Sequence, residues 1–207
     1  MRLFVLGGTG RTGSALIAQG LARGHEITAF GRSALDKRSK LLSMVVGNPM
    51  HANALAAALP GNDVVLSVLG TRGLGVSSVL ADSVRATIQA MRFTDLRRLV
   101  ILSSSLLDSN IGRLPRLLRS TILRHHVHDQ REMENHVTES DLDWTVVRAS
   151  RFQNSPFTGR YVVSVQSQLT KFSEGPISRE DVACMMLSTA ESSDFVRQII
   201  RVCGERL

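Results

Sequence analysis

Apolar residues along the chain fall into short runs that alternate with longer segments of helical spacing. The runs are rich in β-branched residues and are typical of strands, whereas the longer segments place apolar residues three and four apart, as helices do. In chain order the runs and helical segments are Leu3–Leu6, Ser14–Ala22, Ile27–Phe30, Met44–Val46, Asn53–Leu59, Val64–Leu69, Val76–Met91 and Leu99–Leu102. The alternation predicts a βαβ series.

The run Val64–Leu69 is apolar on both of its faces. Strands of this kind are typical of parallel sheets that are covered by helices on both sides and connected by right-handed crossovers. The pattern therefore predicts an α/β fold, a Rossmann-type doubly wound parallel sheet flanked by helices.

After Ser105 the alternation continues less regularly. A helix-rich basic stretch, Arg113–Ser140, precedes a strand at Trp144–Arg148 and then a loop. A strand, a helix and a last strand follow at Tyr161–Val165, Asp181–Thr189 and Val196–Val202. Because no repeat or low-complexity linker interrupts the chain, we predict one NAD(P)-binding domain over residues 1–207. Loops within 105–128 and 149–176 are expected to form a small substrate or lid region.

Composition is compatible with this fold and excludes several classes. Apolar residues make up 43% of the 207 residues, enough for a sizeable core, but no run reaches the length of about twenty that spans a bilayer. The apolar start is too short for a signal peptide, so we expect a cytoplasmic protein that has no membrane partner. Cys184 and Cys203 lack the spacing of a metal site and are expected to be reduced thiols.

The net charge of +7 favours anionic partners: nucleotide phosphates, an acidic substrate or nucleic acid. Only 4% of residues are aromatic, and no helix-turn-helix is visible, so nucleic acid is disfavoured. The sequence leaves the oligomeric state open.

Residues 7–13 read Gly-Gly-Thr-Gly-Arg-Thr-Gly between the first predicted strand and a helix. Gly7 permits a tight turn, Gly10 lets the backbone approach a pyrophosphate, and Gly13 lets the helix pack close to the strand. The N-terminal amides of the helix then face the anion. The loop therefore predicts a dinucleotide site, to which Thr9, Arg11 and Thr12 also belong.

The end of the second strand indicates which dinucleotide is bound. An NAD-selective site carries an acidic residue there for the ribose hydroxyls, but this strand is followed by Arg32 and Ser33. A guanidinium can hold a 2′-phosphate through two hydrogen bonds and stack on adenine, so we predict NADPH (NADP). The basic residues between Lys37 and Lys40 could assist or could form a solvated helix face.

Together these stretches resemble the atypical short-chain dehydrogenases with an NAD(P)H-binding (NmrA-like) domain, and within them the flavin reductase/biliverdin IXβ reductase group. The resemblance covers nearly the whole chain. Besides the two stretches above, it rests on the segments 46–48, 69–72, 103–105, 143–148, 157–161 and 177–183.

The resemblance implies further cofactor contacts. Asn48, where the family usually has Asp, and Pro49 would contact adenine, although this pair could equally form a turn. The remaining implied contacts are Leu69, Gly70, Thr71 and Arg72 at the phosphates and ribose, Ser103 and Ser104 beside the nicotinamide, and Ala149, Ser150 and Arg151 at its carboxamide.

The Tyr and Lys pair that usually supplies the proton in short-chain dehydrogenases is absent. Tyr161 is the single tyrosine and is followed four residues later by Val165, whereas the segment expected to hold the pair begins at His126. We therefore expect NADPH to deliver hydride to a small-molecule acceptor that needs little help from a protein acid: a flavin, quinone or linear tetrapyrrole. Ser104, with Ser103 beside it, is the candidate catalytic residue, which would orient the acceptor or relay a proton.

Alternatives remain open for the polar residues between Arg113 and Asp129. The histidines and Asp129 lack the spacing of a recognisable metal site, so no metal is expected; His126 or His128 could instead donate a proton. The arginines from Arg113 to Arg124 could form a solvated helix face or a basic rim that attracts an acidic acceptor. The missing Tyr and Lys also fit a second function, a non-catalytic NAD(P)-binding redox sensor.

Overall fold

A computed structural model of the protein describes residues 1–34, 39–71, 75–108, 123–165 and 175–205. In the described part the helices are α1 (Arg11–Ala22), α2 (Ala52–Ala58), α3 (Val79–Met91), α4 (Arg124–Thr138) and α5 (Arg179–Glu191). The strands are β1 (Arg2–Leu6), β2 (Glu26–Gly31), β3 (Leu42–Val46), β4 (Val64–Ser67), β5 (Arg98–Ser104), β6 (Asp143–Ala149), β7 (Phe152–Gln153), β8 (Tyr161–Val165), β9 (Ile177–Ser178) and β10 (Gln198–Gly204). A short 3₁₀ helix follows β5 at Ser105–Leu107.

Eight of these strands form one twisted sheet in the order β3-β2-β1-β4-β5-β6-β10-β8. All neighbours are parallel except β8, which pairs antiparallel with β10 at the edge. The order reverses at β1 and β4, and the ligand crevice of a doubly wound sheet opens at such a point, beyond the carboxyl ends of the strands. The predicted Rossmann-type α/β class is confirmed.

The core has two layers, one on each face of the sheet. Leu16 and Ile17 of α1 pack with Val182 and Met186 of α5 on one face. On the other face α2, α3 and α4 contribute apolar side chains that include Leu55, Val84 and Met133. Strand residues such as Val64 and Val65 alternate between the two layers, which explains why these strands read as continuous apolar runs.

Several boundaries differ from the sequence predictions. Strand β4 ends at Ser67, two residues before its predicted end, and α3 begins at Val79, three residues after its predicted start. The last strand runs to Gly204 instead of ending at Val202. Strands β7 and β9 pair as a separate parallel ribbon, which the sequence analysis missed because each is only two residues long.

No helix in the described ranges is long and apolar enough to cross a bilayer.

Candidate cofactor and active site

The glycine loop connects β1 to the first turn of α1. Gly7 has a φ of 85°, and a Cβ there would lie 2.9 Å from the carbonyl group of Val68. A Cβ on Gly13 would lie 2.2 Å from the carbonyl oxygen of Gly7, so α1 can begin this close to β1 only with glycine. Helix α1 has no acidic residue in its first turn and no side-chain cap from Gly10. The loop therefore fits a pyrophosphate, because its helical amides can face an anion.

Arg32 and Ser33 follow β2 directly, and both are exposed. Since β2 pairs parallel with β1 in the register Leu6 to Phe30, Arg32 lies at the same edge of the sheet as the glycine loop. Arg32 makes no ion pair with a carboxylate of the described residues, and Arg11 and Thr9 of the glycine loop are likewise exposed. The positive charge of Arg32 is therefore available to a ligand.

The side chain of Asn48, beyond β3, is engaged in a turn. Its Oδ1 accepts a hydrogen bond of 3.1 Å from the amide of Met50, and its Nδ2 lies 3.3 Å from Nε2 of His51. Pro49 is buried. The turn that the sequence left as an alternative is present, and an adenine contact from Asn48 stays a prediction.

The chain that leaves β4 borders the crevice. Leu69 packs against the core, and Gly70 is exposed with open space where a Cβ would be. Thr71 is partly buried, and its Oγ1 lies 2.8 Å from Nδ1 of His126 on α4. Arg72 lies outside the described residues.

The two serines at the end of β5 face opposite sides of the sheet, because alternate residues of a strand do so. Ser103 is 4% exposed and donates a 2.5 Å hydrogen bond to Oε1 of Glu134 on α4. The hydroxyl of Ser103 is therefore already engaged by Glu134, and its predicted position beside the nicotinamide stays a prediction. Ser104 is partly buried, and its Oγ accepts a 3.2 Å bond from the amide of Leu106, which caps the 3₁₀ helix.

The last residue of β6 and the two residues that follow it also differ in whether their side chains can contact a ligand. Ala149 is buried, and the hydroxyl of Ser150 donates to the carbonyl oxygen of Gly175 at 2.8 Å. Arg151 is exposed, while its carbonyl accepts from the amide of Ile177. Arg151 is thus the member of this predicted triplet whose side chain is available to a ligand.

Comparison with known proteins identifies the family of the chain. A family model described as NAD(P)H-binding matches residues 7–193. The chain belongs to the NAD(P)H-binding family. This match confirms the predicted family resemblance and, as the ligand class, a nicotinamide dinucleotide. The match begins at Gly7, the first glycine of the loop.

Curated relatives of this NAD(P)H-binding chain are distant. An uncharacterized chloroplastic protein of Arabidopsis thaliana is 25% identical over 96% of this chain and 76% of its own length. An uncharacterized protein of Mycobacterium tuberculosis is 26% identical over 72% of this chain, which spans only 15% of that protein. A photosystem II assembly factor of Synechocystis is 23% identical over 100% of this chain and 63% of its own length.

Solved structures share the fold. A short-chain dehydrogenase/reductase of Veillonella parvula in complex with NADP has a TM-score of 0.84 and 20% identity, covering 99% of this chain and 94% of that chain. A candidate NADH-flavin reductase of Streptococcus pneumoniae has a TM-score of 0.79 and 18% identity, covering 99% of this chain and 100% of that chain. At these identities the likeness concerns the fold.

A buried ionic cluster underlies the crevice of this NAD(P)H-binding domain, and the sequence analysis missed it. Arg148 on β6 donates to both carboxylate oxygens of Glu134, at 3.0 and 2.5 Å, and to Asp108 at 2.8 Å. Arg201 on β10 lies 3.2 Å from Asp108. Burial lowers the pKa of Arg148, but Glu134 and Asp108 outweigh it and the pKa is raised, so the guanidinium stays charged. An arginine inside the apolar run of β6 was the signal available in the sequence.

Asp181, in the first turn of α5, holds the loop between β7 and β8. It accepts hydrogen bonds from the hydroxyl of Ser178, from the amide and hydroxyl of Thr158, and from the amide of Gly159, at 2.7 to 2.9 Å. Burial would raise the pKa of Asp181, but these hydrogen bonds outweigh it and the pKa is lowered. The predicted lid region is therefore fixed to α5 over part of its length.

A cavity of about 500 Å³ lies between α1 and this loop. Arg11 and Arg179 both line it, together with Ser14, Gln153 and Asn154. Arg179 lies 4.8 Å above the ring of Phe152 and donates to Asn154, which fixes the guanidinium. Burial and the charge of Arg11 both lower the pKa of Arg179, so two like charges share this cavity next to the glycine loop, which Glu180 lines as well.

In the described ranges no group of three or more His, Cys, Asp or Glu residues could hold a metal ion. The predicted site residues that are exposed or partly buried are Gly7, Thr9, Gly10, Arg11, Arg32, Ser33, Asn48, Leu69, Gly70, Thr71, Ser104 and Arg151.

Proposed function

We propose that the protein is an NADPH-dependent oxidoreductase that transfers hydride to a conjugated small-molecule acceptor such as a flavin, quinone or linear tetrapyrrole. The observation that carries the proposal is the pairing of a glycine cradle with an exposed Arg32 at the same sheet edge, where an NAD-selective site would have a carboxylate. The NADP complex and the candidate flavin reductase among proteins of this fold support the same class.

A tyrosine, the usual acid of short-chain dehydrogenases, should play no part in this reaction. The single tyrosine, Tyr161, lies on the edge strand β8 with its hydroxyl 3.8 Å from Sγ of Cys184 on α5. Burial, together with Cys184, raises the pKa of Tyr161 to about 12, so this hydroxyl is a poor proton donor near neutral pH. In this proposal Ser104, at the carboxyl end of β5, orients the acceptor or relays a proton from solvent.

The charges of Arg11 and Arg179, which outnumber the carboxylate of Glu180 in the same cavity, support an acidic acceptor, because guanidinium groups attract carboxylate or phosphate. The first experiment is to follow NADPH oxidation spectrophotometrically across flavins, quinones and linear tetrapyrroles. FMN and riboflavin share one ring system and differ in a phosphate, so a lower KM for FMN would support the acidic preference.

Arg32→Asp tests the cofactor. Loss of a charge-assisted phosphate contact costs about 1.5–3 kcal/mol, so the variant should bind NADPH about ten-fold or more weakly and lose or reverse its preference over NADH. Arg92→Asp is the matched control, since Arg92 is exposed at the C-terminal end of α3, remote from the glycine loop. Equal affinity of the unchanged protein for both cofactors, measured by calorimetry, would contradict the assignment.

A nucleotide sensor is the second candidate, and the missing Tyr and Lys favour it. It predicts tight NADPH binding without oxidation by any acceptor of the panel, which is the opposite of the outcome expected above.

A further inference from the structure

One face of α4 carries three polar residues at intervals of four: His126, Gln130 and Glu134. Residues four apart on a helix lie above one another on the same side. Glu134 contacts Ser103 at the end of β5, and His126 contacts Thr71 beyond the end of β4. These two contacts place the row of three across the carboxyl edge of the sheet, where the cofactor crevice opens.

The imidazole of His126 is held by one of its two nitrogens. Nδ1 lies 2.8 Å from Oγ1 of Thr71, whereas Nε2 makes no hydrogen bond to a described residue. Gln130, one turn further along, is 7% exposed, and its Oε1 has no hydrogen-bond partner in the described part of the chain. Buried polar atoms are normally paired, so Oε1 of Gln130 is available to a hydroxyl or amide donor of a ligand.

We propose that His126 donates the proton that accompanies hydride transfer, with Gln130 accepting a hydrogen bond from the bound ligand; the inference rests on the proposed reductase function. NADPH held by the glycine loop and Arg32 would supply the hydride, with both of its electrons, to the acceptor and would leave as NADP⁺. The acceptor anion takes the Nε2 proton of the imidazolium, and the neutral imidazole recovers a proton from solvent. Thr71 is a positioning residue, because it orients the ring through Nδ1.

The surroundings of His126 determine how readily it gives up this proton. Burial lowers its pKa from 6.5, and the charge of Asp129 raises it by less. The carboxylate of Asp129 is held by the amides of Leu80 and Ala81 at the start of α3, where Asp82 pairs with Arg85. On α4 itself, Arg124 is exposed and contacts His125. The protonated fraction of His126, and with it the turnover, should therefore fall as the pH rises.

His126→Gln tests the proposal against His128→Gln, a matched control on an exposed position of the same helix. Hydride addition to a quinone gives a hydroquinone anion that must be protonated, whereas hydride addition to a flavin gives a reduced anion that persists near neutral pH. We expect His126→Gln to lower kcat with the quinone about a hundred-fold and to abolish its fall with pH, while flavin reduction and NADPH affinity change less than two-fold. His128→Gln should change neither reaction.

Thr71→Val gives a second readout, because it keeps the imidazole but removes its hydrogen-bond partner. We expect about a ten-fold loss with the quinone and little loss with the flavin. Equal turnover by His126→Gln and His128→Gln, or a protein that reduces flavins alone, would show that His126 is not the donor. If no acceptor oxidises NADPH, the reductase function itself fails and the inference with it.

Discussion

Replacement of Arg148 by Met should destabilise the protein strongly, because the arginine neutralises two buried carboxylates. The side chains of Arg148, Glu134 and Asp108 are 8%, 6% and 2% exposed. Removing one partner of a buried ion pair typically costs about 3–5 kcal/mol, since the remaining charge is left uncompensated. Domains of this size have unfolding free energies of about 5–15 kcal/mol, so the loss should be a large part of the total.

The assay is urea unfolding followed by circular dichroism, with the slope of the transition checked for two-state behaviour. Arg97→Met is the control, because Arg97 pairs with Asp141 on the surface, where both side chains are at least half exposed, and should cost about 1 kcal/mol or less. The double variant Glu134→Gln with Arg148→Met should be less destabilised than the sum of the single variants, because it removes the orphaned charge. A cost for Arg148→Met no larger than that for Arg97→Met would refute the reasoning.

Three further predictions concern the active-site surroundings. Asp181→Asn should lower the unfolding free energy by about 1–3 kcal/mol at pH 7. Since the native pKa of Asp181 lies below 3.8, the stabilisation should be present above that pH and be lost as the pH falls through the native pKa. A difference in unfolding free energy between the two proteins that is the same at every pH would contradict this reasoning. Tyr161→Phe should retain most reductase activity, and a loss of about a hundred-fold in kcat with NADPH affinity intact would contradict the view that this hydroxyl is not the acid. Ser104→Ala should lower turnover moderately and leave the NADPH affinity measured by calorimetry nearly unchanged; an unchanged rate would assign Ser104 only its observed role of capping the 3₁₀ helix.

The βαβ series could be predicted because apolar periodicity and glycine positions are local properties of the sequence. The cradle around Gly7 and Gly13 is of this kind, since each glycine is required by backbone that lies close to it. The orientation of Ser103 could not be predicted in the same way. Two adjacent serines point to opposite faces, and the hydroxyl of Ser103 is engaged by Glu134, which lies 31 residues away.

The ionic cluster and the short ribbon of β7 and β9 also depend on distant partners. Asp108 and Arg148 are 40 residues apart, and neither residue by itself indicates burial of a charge. Phe152 meets Ile177 in a pairing of only two residues per strand, too short to produce a periodic pattern. Sequence reasoning therefore predicted which strand ends border the site, but not which side chains are already hydrogen-bonded to other residues of the chain.

The way in which Asp181 holds the loop between β7 and β8 has a consequence for how this loop could change during evolution. Asp181 binds the backbone amides of Thr158 and Gly159, and Glu180 binds the amide of Phe157. A carboxylate that recognises backbone N–H groups places little demand on the side chains that those residues carry. The side chains of this loop can therefore diversify while two acidic residues on α5 keep the path of its backbone.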